Sequence, residues 1–132
     1  DLSGKYTPDG WARAAVGAYR RHRADRVVAE VNNGGDLVEA NLRTVDRNIP
    51  YTAVRASRGK RTRAEPIAAL YEQGKVHHVE PFPKLETQLC EWDPMGDAAS
   101  PDRLDALVWG ATEVMLVGEE STAAKWVRGY QR

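Results

Sequence analysis

The amino-acid sequence predicts an α/β fold with a partly parallel sheet. Segments whose apolar residues have helical spacing alternate with short runs rich in β-branched residues, which is typical of layered α/β architectures. One such run, residues 26–31, is mostly apolar, as expected of a buried parallel strand. The chain has 132 residues, enough for one domain with its own hydrophobic core.

Local start signals and periodicity place the elements of the first half. Thr7-Pro8-Asp9 predicts a helix start, with a hydroxyl N-cap, a proline at the first helical position and an acid in the first turn. A tight turn over 32–35 is expected to follow the first strand. The predicted elements are a helix over 7–23, a strand over 26–31, a helix over 36–45 and a strand over 51–56.

The second half predicts mainly helices. Gly74 is expected to terminate the first of them, and Ser100-Pro101-Asp102 to open the last. We expect the domain to comprise residues 1–117 and a C-terminal tail to comprise residues 118–132. The predicted elements are a helix over 64–73, a short strand over 76–79, a helix over 84–92, a loop over 93–99 and a helix from 100 to about 117.

Composition limits the class of protein. Lys and Arg total 19 and so do Asp and Glu, so the net charge does not indicate a nucleic-acid partner. The single cysteine excludes an internal disulfide and fits a reducing cytosol. No run approaches the roughly 18–20 apolar residues of a membrane span, and the start does not resemble a signal peptide. We therefore expect a cytoplasmic protein without membrane contact and, because it begins close to a helix with no initiator Met, a fragment of a longer chain.

Glu30 is the first candidate functional residue. It interrupts the apolar run VVAEV just before a Gly-Gly turn, at the carboxyl end of the predicted strand, where open α/β sheets bind their ligands. A carboxylate in such a run is costly unless it is paired or bound to a cation. The alternative is an ordinary exposed glutamate on an edge strand.

Two acids at the start of the last predicted helix are the second candidates. Asp102 and Asp105 are three residues apart and therefore lie on one helix face. Asp102 is equally explained as a first-turn acid that interacts favourably with the helix dipole. Asp105 lies among apolar residues, so we favour it as a metal ligand with Asp102 as its helper. Together with Glu30, these carboxylates predict an Mg²⁺ or Mn²⁺ site beside a phosphate.

A basic run before the third predicted helix is the third candidate. It contains no acid and is suited to neutralise DNA phosphates, although such runs are more often solvated loops. Gly59-Lys60-Arg61-Thr62 lacks the upstream glycine of a phosphate-binding loop, since Val54 occupies that position, so we exclude an ATP site. The basic residues are Arg55, Arg58, Lys60, Arg61 and Arg63.

Other reactive side chains carry weaker signals. His77 and His78 are neighbours on a predicted strand, so their side chains point to opposite faces and have no zinc-type partner. Cys90 has no evident activating base. We expect none of these three residues to be catalytic.

Four blocks, in this order, resemble a known family: VVAEVNNGGDLV, ASRGKRTRAEPIAALYEQGKVHHV, LETQLCEW and SPDRLDALVWG. Up to about Leu116 the chain resembles the C-terminal nuclease domain of the large terminase subunit of tailed bacteriophages and related prophages or gene-transfer agents. The resemblance implies a ribonuclease H-like fold, with a mixed sheet flanked by helices. It also implies an endonuclease that cuts double-stranded concatemeric DNA during genome packaging.

The resemblance implies roles for individual residues. Such domains use three acids to hold two divalent metals, Mg²⁺ or Mn²⁺. Glu30 matches the acid of the central strand, and Asp105 matches the acid of the last helix, with Asp102 beside it. Lys60 matches a lysine in a loop near the active site, where it contacts the scissile phosphate. The neighbouring residues expected to bind the DNA backbone are Arg58, Arg61 and Arg63.

One departure from the family pattern limits these expectations. The family's first acid lies on a strand that would precede Asp1, so we expect the sheet to be incomplete and the fragment alone to be weakly active or inactive. The implied partners are double-stranded DNA, the terminase ATPase domain, the small terminase subunit and the portal, in the bacterial host cytoplasm. The alternatives are a non-catalytic ribonuclease H-like module that binds DNA or a partner, and a resolvase- or transposase-type nuclease.

Overall fold

The computed structural model describes residues 1–32, 35–93, 95–96 and 101–116. The chain folds as two compact units, Asp1–Ser57 and Arg58–Arg132. The predicted tail, 118–132, lies outside the described residues, and the domain boundary at residue 117 stays a prediction. In the described part of the chain, no helix is both long and apolar enough to cross a bilayer.

The first unit combines two helices with two parallel strands. Its elements are α1 (Pro8–Arg21), β1 (Val27–Glu30), α2 (Gly35–Val45) and β2 (Tyr51–Val54). The strands pair in parallel from Val27 opposite Tyr51 to Glu30 opposite Val54. The predicted α/β class is confirmed, with strands shorter than predicted. The mixed sheet stays a prediction, because the sheet of the described residues contains only this parallel pair.

The chain enters α1 and α2 as the sequence predicts. The Thr7 hydroxyl accepts a hydrogen bond from the Gly10 amide at 3.1 Å and so caps α1, with Pro8 in the first helical position. Gly35 allows α2 to begin close to the end of β1, since a Cβ there would lie 2.6 Å from the Cβ of buried Val31. Residues 33 and 34 of the predicted turn lie outside the described residues.

The core of the first unit joins α1 to α2. Ala12 and Val16 lie one turn apart on α1 and are buried against Leu42 of α2 and Ile49 of the segment before β2. Val27 and Tyr51, the first residues of the two strands, pack on this cluster. The apolar face of each helix therefore fixes where the strands begin.

The second unit is helical in its described residues. Its elements are α3 (Lys60–Glu72), α4 (Pro83–Glu91), α5 (Asp102–Ala111) and a π-helical turn (Thr112–Leu116). Ile67 of α3 packs with Leu104 and Val108 of α5 to form its core. Gly74 ends α3 with a φ of 64°, and the amides of Gly74 and Lys75 bond back into the last turn, which confirms Gly74 as the helix terminator.

Two element predictions in this unit are wrong. Residues 76–79 form a loop and not a strand, and α3 begins at Lys60 rather than at residue 64. The predicted start failed because basic residues in a first turn oppose the helix dipole, and Gly59 provides no side-chain cap. The basic residues from 60 onwards therefore lie on a helix and not in a loop.

His78 connects the loop after α3 to two helices. Its Nε2 lies 2.8 Å from the Tyr71 hydroxyl on α3, and its Nδ1 lies 2.9 Å from Glu86 Oε1 on α4. Glu86 also accepts the Phe82 amide at 3.0 Å. The hydrogen bond from His78, and then that from Phe82, hold the pKa of Glu86 below its usual value. His78 therefore bonds to α3 and α4 from the loop that the sequence predicted to be a strand.

Leu42→Ala should destabilise the protein strongly. Leu42 is 0% exposed, whereas Leu37 on the same helix is 69% exposed. We expect Leu42→Ala to lower the free energy of unfolding by about 2–5 kcal/mol, because it leaves a cavity in the core. Leu37→Ala should change it by no more than about 0.5 kcal/mol. Urea unfolding followed by circular dichroism measures both, and equal effects would contradict the assigned core.

Glu86 should make stability depend on acid pH. Because the folded pKa of Glu86 is lowered, its carboxylate stabilises the folded state above the ordinary pKa of 4.5. That contribution is lost as the pH falls below this value and through the folded pKa. Glu86→Gln should therefore reduce the loss of stability between about pH 6 and about pH 3.

The matched control is Glu91→Gln, an exposed residue at the end of the same helix. Urea midpoints across the pH range compare both variants with the parent. If the two variants show the same pH dependence, the contribution assigned to Glu86 is wrong.

Candidate functional site

Asp105 is the centre of a charged cluster in the second unit. Its Oδ2 lies 2.9 Å from Lys60 Nζ, and its Oδ1 lies 4.0 Å from Arg63 Nη2. The Asp105 side chain is only 18% exposed. We call Lys60, Arg63, Asp105 and Trp109 the Asp105 cluster. Its carboxylate links the first turn of α3 to the first turn of α5.

The two cations of the cluster have different surroundings. The Lys60 side chain is 47% exposed, whereas that of Arg63 is 11% exposed. The guanidinium carbon of Arg63 lies 4.4 Å from the centroid of the Trp109 ring, within cation–π distance. Trp109 is one turn after Asp105 on α5, so Arg63 contacts one face of that helix at two points. DNA binding by Arg63 stays a prediction, and its burial favours a role in orienting Asp105.

The Asp105 carboxylate also compensates the start of α3. The unpaired backbone amides of a first turn carry partial positive charge, which acids there would offset. The first turn of α3 contains basic residues and no acid. A carboxylate from α5 therefore supplies the negative charge that the first turn lacks. Arg61 is neutralised separately by Glu65, one turn later, at 2.8 Å.

Gln88 of α4 fixes the start of α5. Pro101, at the N-cap position, makes no side-chain cap. Instead, Gln88 Oε1 accepts hydrogen bonds from the amides of Arg103 at 3.1 Å and Leu104 at 3.2 Å. The turn that carries Asp105 is thus held by a neighbouring helix. Sequence reasoning missed Gln88, because no local motif identifies a cap from a residue so far away in the chain.

Asp102 is exposed in the same first turn of α5. A carboxylate at this position interacts favourably with the helix dipole whether or not it has a second role. Its role as a helper of Asp105 stays a prediction.

Glu30 is the last residue of β1 in the first unit. The Asn32 side-chain amide donates a hydrogen bond to Glu30 Oε1 at 2.8 Å. The Asn32 Oδ1 accepts one from the Ala56 amide at 3.1 Å, just beyond β2. Asn32 therefore orients the carboxylate and connects it to the neighbouring strand. Sequence reasoning did not indicate this bridge.

The donors agree in kind with a magnesium or manganese site. Carboxylate oxygens are the ligands that these hard cations prefer, and the Lys60 ammonium already places a positive charge at Asp105 Oδ2. Within the described residues, no group of three or more Asp, Glu, His or Cys side chains is close enough to hold a metal. Metal binding by Glu30, Asp105 and Asp102 stays a prediction.

Three of the predicted DNA-binding residues are exposed. Arg58 precedes α3, and Lys60 and Arg61 occupy its first turn. Of these three, Lys60 contacts Asp105 and Arg61 contacts Glu65. DNA binding by the three residues stays a prediction.

A comparison with models of protein families matches residues 4–113 to one described as a terminase RNaseH-like domain. This chain belongs to that family. The match confirms the resemblance to a terminase nuclease domain, and it makes the chain a ribonuclease H-like, nuclease-type module. No curated protein and no solved structure matches the chain. The matched span of the terminase domain includes Glu30, Asp102, Asp105 and the basic residues of α3.

The two cations of the Asp105 cluster should contribute unequally to stability. Lys60→Met removes a half-exposed ion pair and should lower the free energy of unfolding by less than about 1 kcal/mol. Arg63→Met removes a largely buried charged contact at 4.0 Å and the stacking on Trp109, and should lower it by about 1–2 kcal/mol. Urea unfolding of the two variants, each the control for the other, checks this. A larger effect of Lys60→Met would contradict the positioning role of Arg63.

Proposed function

We propose that this domain is a metal-dependent endonuclease that cuts double-stranded concatemeric DNA during phage genome packaging. The observation that carries the proposal is Asp105, a largely buried carboxylate beside an exposed basic surface, in a chain of the terminase RNaseH-like family. This family favours a terminase nuclease over a resolvase or transposase, and over a module that only binds.

Glu30 and Asp105 are the proposed ligands of Mg²⁺ or Mn²⁺, with Asp102 as an accessory group. When bound, two such ions supply an activated water and stabilise the leaving oxygen during phosphodiester hydrolysis. Asn32 orients Glu30 through its 2.8 Å hydrogen bond. Arg63 and Gln88 hold the turn that carries Asp105. Such contacts favour one orientation of each carboxylate, which supports a role as metal ligands.

The exposed basic residues of the second unit are proposed to bind the DNA backbone. Arg58, Lys60 and Arg61 are proposed to contact phosphates, which are the same in every sequence, so we expect little sequence preference. Binding through phosphates makes affinity fall steeply with salt concentration. The proposed partners, besides double-stranded DNA, are the terminase ATPase domain, the small terminase subunit and the portal, in the cytoplasm of the bacterial host.

Cleavage by a full-length terminase that carries this domain tests the proposal. Glu30→Gln and Asp105→Asn should each lower the cleavage rate at least about 100-fold, because loss of a ligand removes several kcal/mol of transition-state stabilisation. Asp102→Asn should have a smaller effect. ATP hydrolysis should be unchanged in all three, since no residue of this domain is proposed to bind ATP. Cleavage of plasmid DNA with Mg²⁺ or Mn²⁺ measures the rates.

The matched control is Glu72→Gln, an exposed acid at the end of α3. It should cleave at the parental rate. Retention of cleavage in both Glu30→Gln and Asp105→Asn would refute the assigned site. Lack of cleavage by the parent with either metal would favour a non-catalytic binding module.

A further inference from the structure

We propose that an apolar groove of the second unit binds residues 123–130 of this same chain as a short amphipathic helix. The groove lies between α3 and α5, beside the end of α4, and has a volume of about 330 Å³. The proposal concerns an interaction within the chain and does not depend on the proposed nuclease activity.

The first argument is the chemistry of the groove. Apart from Arg61 and Glu65, every described side chain that lines it is aliphatic or aromatic. Arg61 and Glu65 pair with each other at 2.8 Å, so their charges largely compensate and do not select a charged ligand. Several of the apolar lining residues are still partly exposed, so covering them is favourable. These residues are Tyr71, Leu89, Trp92 and Leu107.

The second argument is the pattern of the proposed occupant. A helix that binds in an apolar groove presents anchors at positions i, i+3, i+4 and i+7. Residues 123–130 have apolar side chains at this spacing, and Lys125 and Arg128 fall on the opposite side of such a helix. An isolated helix of this length is marginal in water, so it should form only when its apolar side is covered. The four anchors are Ala123, Trp126, Val127 and Tyr130.

The third argument is the position of the preceding residue. Leu116, where the described part of the chain ends, packs on the cluster of Ile67, Leu104 and Val108, and these three residues also line the groove. Ala123 is seven positions further on, a distance that extended chain can cover over about 23–25 Å. A segment tethered so closely competes at an effective concentration on the order of millimolar, which favours it over a separate partner protein.

Photo-cross-linking in the full-length terminase tests the docking. Trp126→p-benzoylphenylalanine keeps a large aromatic side chain at the central anchor. After irradiation and digestion, mass spectrometry should locate its cross-links at Tyr71, Leu89, Trp92 or Leu107. The matched control, Lys125→p-benzoylphenylalanine, should lose these cross-links because position 125 lies on the other side of the helix. Mixing isotope-labelled with unlabelled protein identifies any cross-link that joins two copies.

Trypsin cleavage after Arg128 of the native protein gives a second readout. Ala68 is exposed and lines the groove, so Ala68→Glu places a carboxylate against the docked apolar side chains. This variant should be cleaved about 5- to 30-fold faster than the parent, because cleavage follows the population of the undocked segment. Trp126→Ala should accelerate cleavage as well, without altering the groove. The matched control is Ala106→Glu, at an exposed position of α5 outside the groove, which should be cleaved at the parental rate.

The possible outcomes distinguish this occupant from others. Cross-links from position 126 to the groove within one copy, together with faster cleavage of Ala68→Glu, support the proposal. Cross-links that join two copies make the groove an interface between copies and overturn it. Cross-links that fall only outside the groove, or equal cleavage rates for Ala68→Glu and Ala106→Glu, refute the docking of residues 123–130.

Discussion

The arrangement of the second unit depends on the ion pairing of one carboxylate. Asp105 lies in the first turn of α5, where its charge suits the helix dipole, and it also faces the basic first turn of α3, where charge is unfavourable. The same two helices pack through Ile67, Leu104 and Val108. Arg63 and Ile67 are one turn apart on α3, so the charged contact and the apolar contact hold the helices in one register.

Features that neighbouring residues encode were predictable from the sequence. The Thr7 cap, the Gly74 terminator and the α/β alternation each depend on contacts within a turn or on the periodicity of a short segment. The start of α3 was not predictable in this way. The basic first turn of α3 is compensated by Asp105, 45 residues after Lys60. Rules for helix starts consider only neighbouring residues and do not include a charge on another helix. The loop over 76–79 was missed for a similar reason, since His78 bonds to side chains on α3 and α4.

In the candidate site, too, the sequence indicated which residues matter but not the environment of each residue. Acid identity and spacing indicated Glu30, Asp102 and Asp105. Local sequence rules did not predict the different environments of Lys60 and Arg63, of which one is half-exposed and the other is nearly buried over an indole ring. The supporting contacts of Gln88 and Asn32 were also missed, because each is an amide that acts on a backbone or carboxylate group of another segment.

The pairing of Asp105 bears on how the second unit folds. A carboxylate that is only 18% exposed is costly to leave unpaired, because it has lost most of its contact with water. Lys60 supplies a positive charge from within the chain, so α3 and α5 can pack without leaving the Asp105 carboxylate unpaired. That charge is on a flexible, half-exposed side chain, so the ion pair forms without fixing Lys60 in the core. Arg63, stacked on Trp109, provides the second and less exposed cation, so Asp105 keeps a charged neighbour when the Lys60 side chain moves in water.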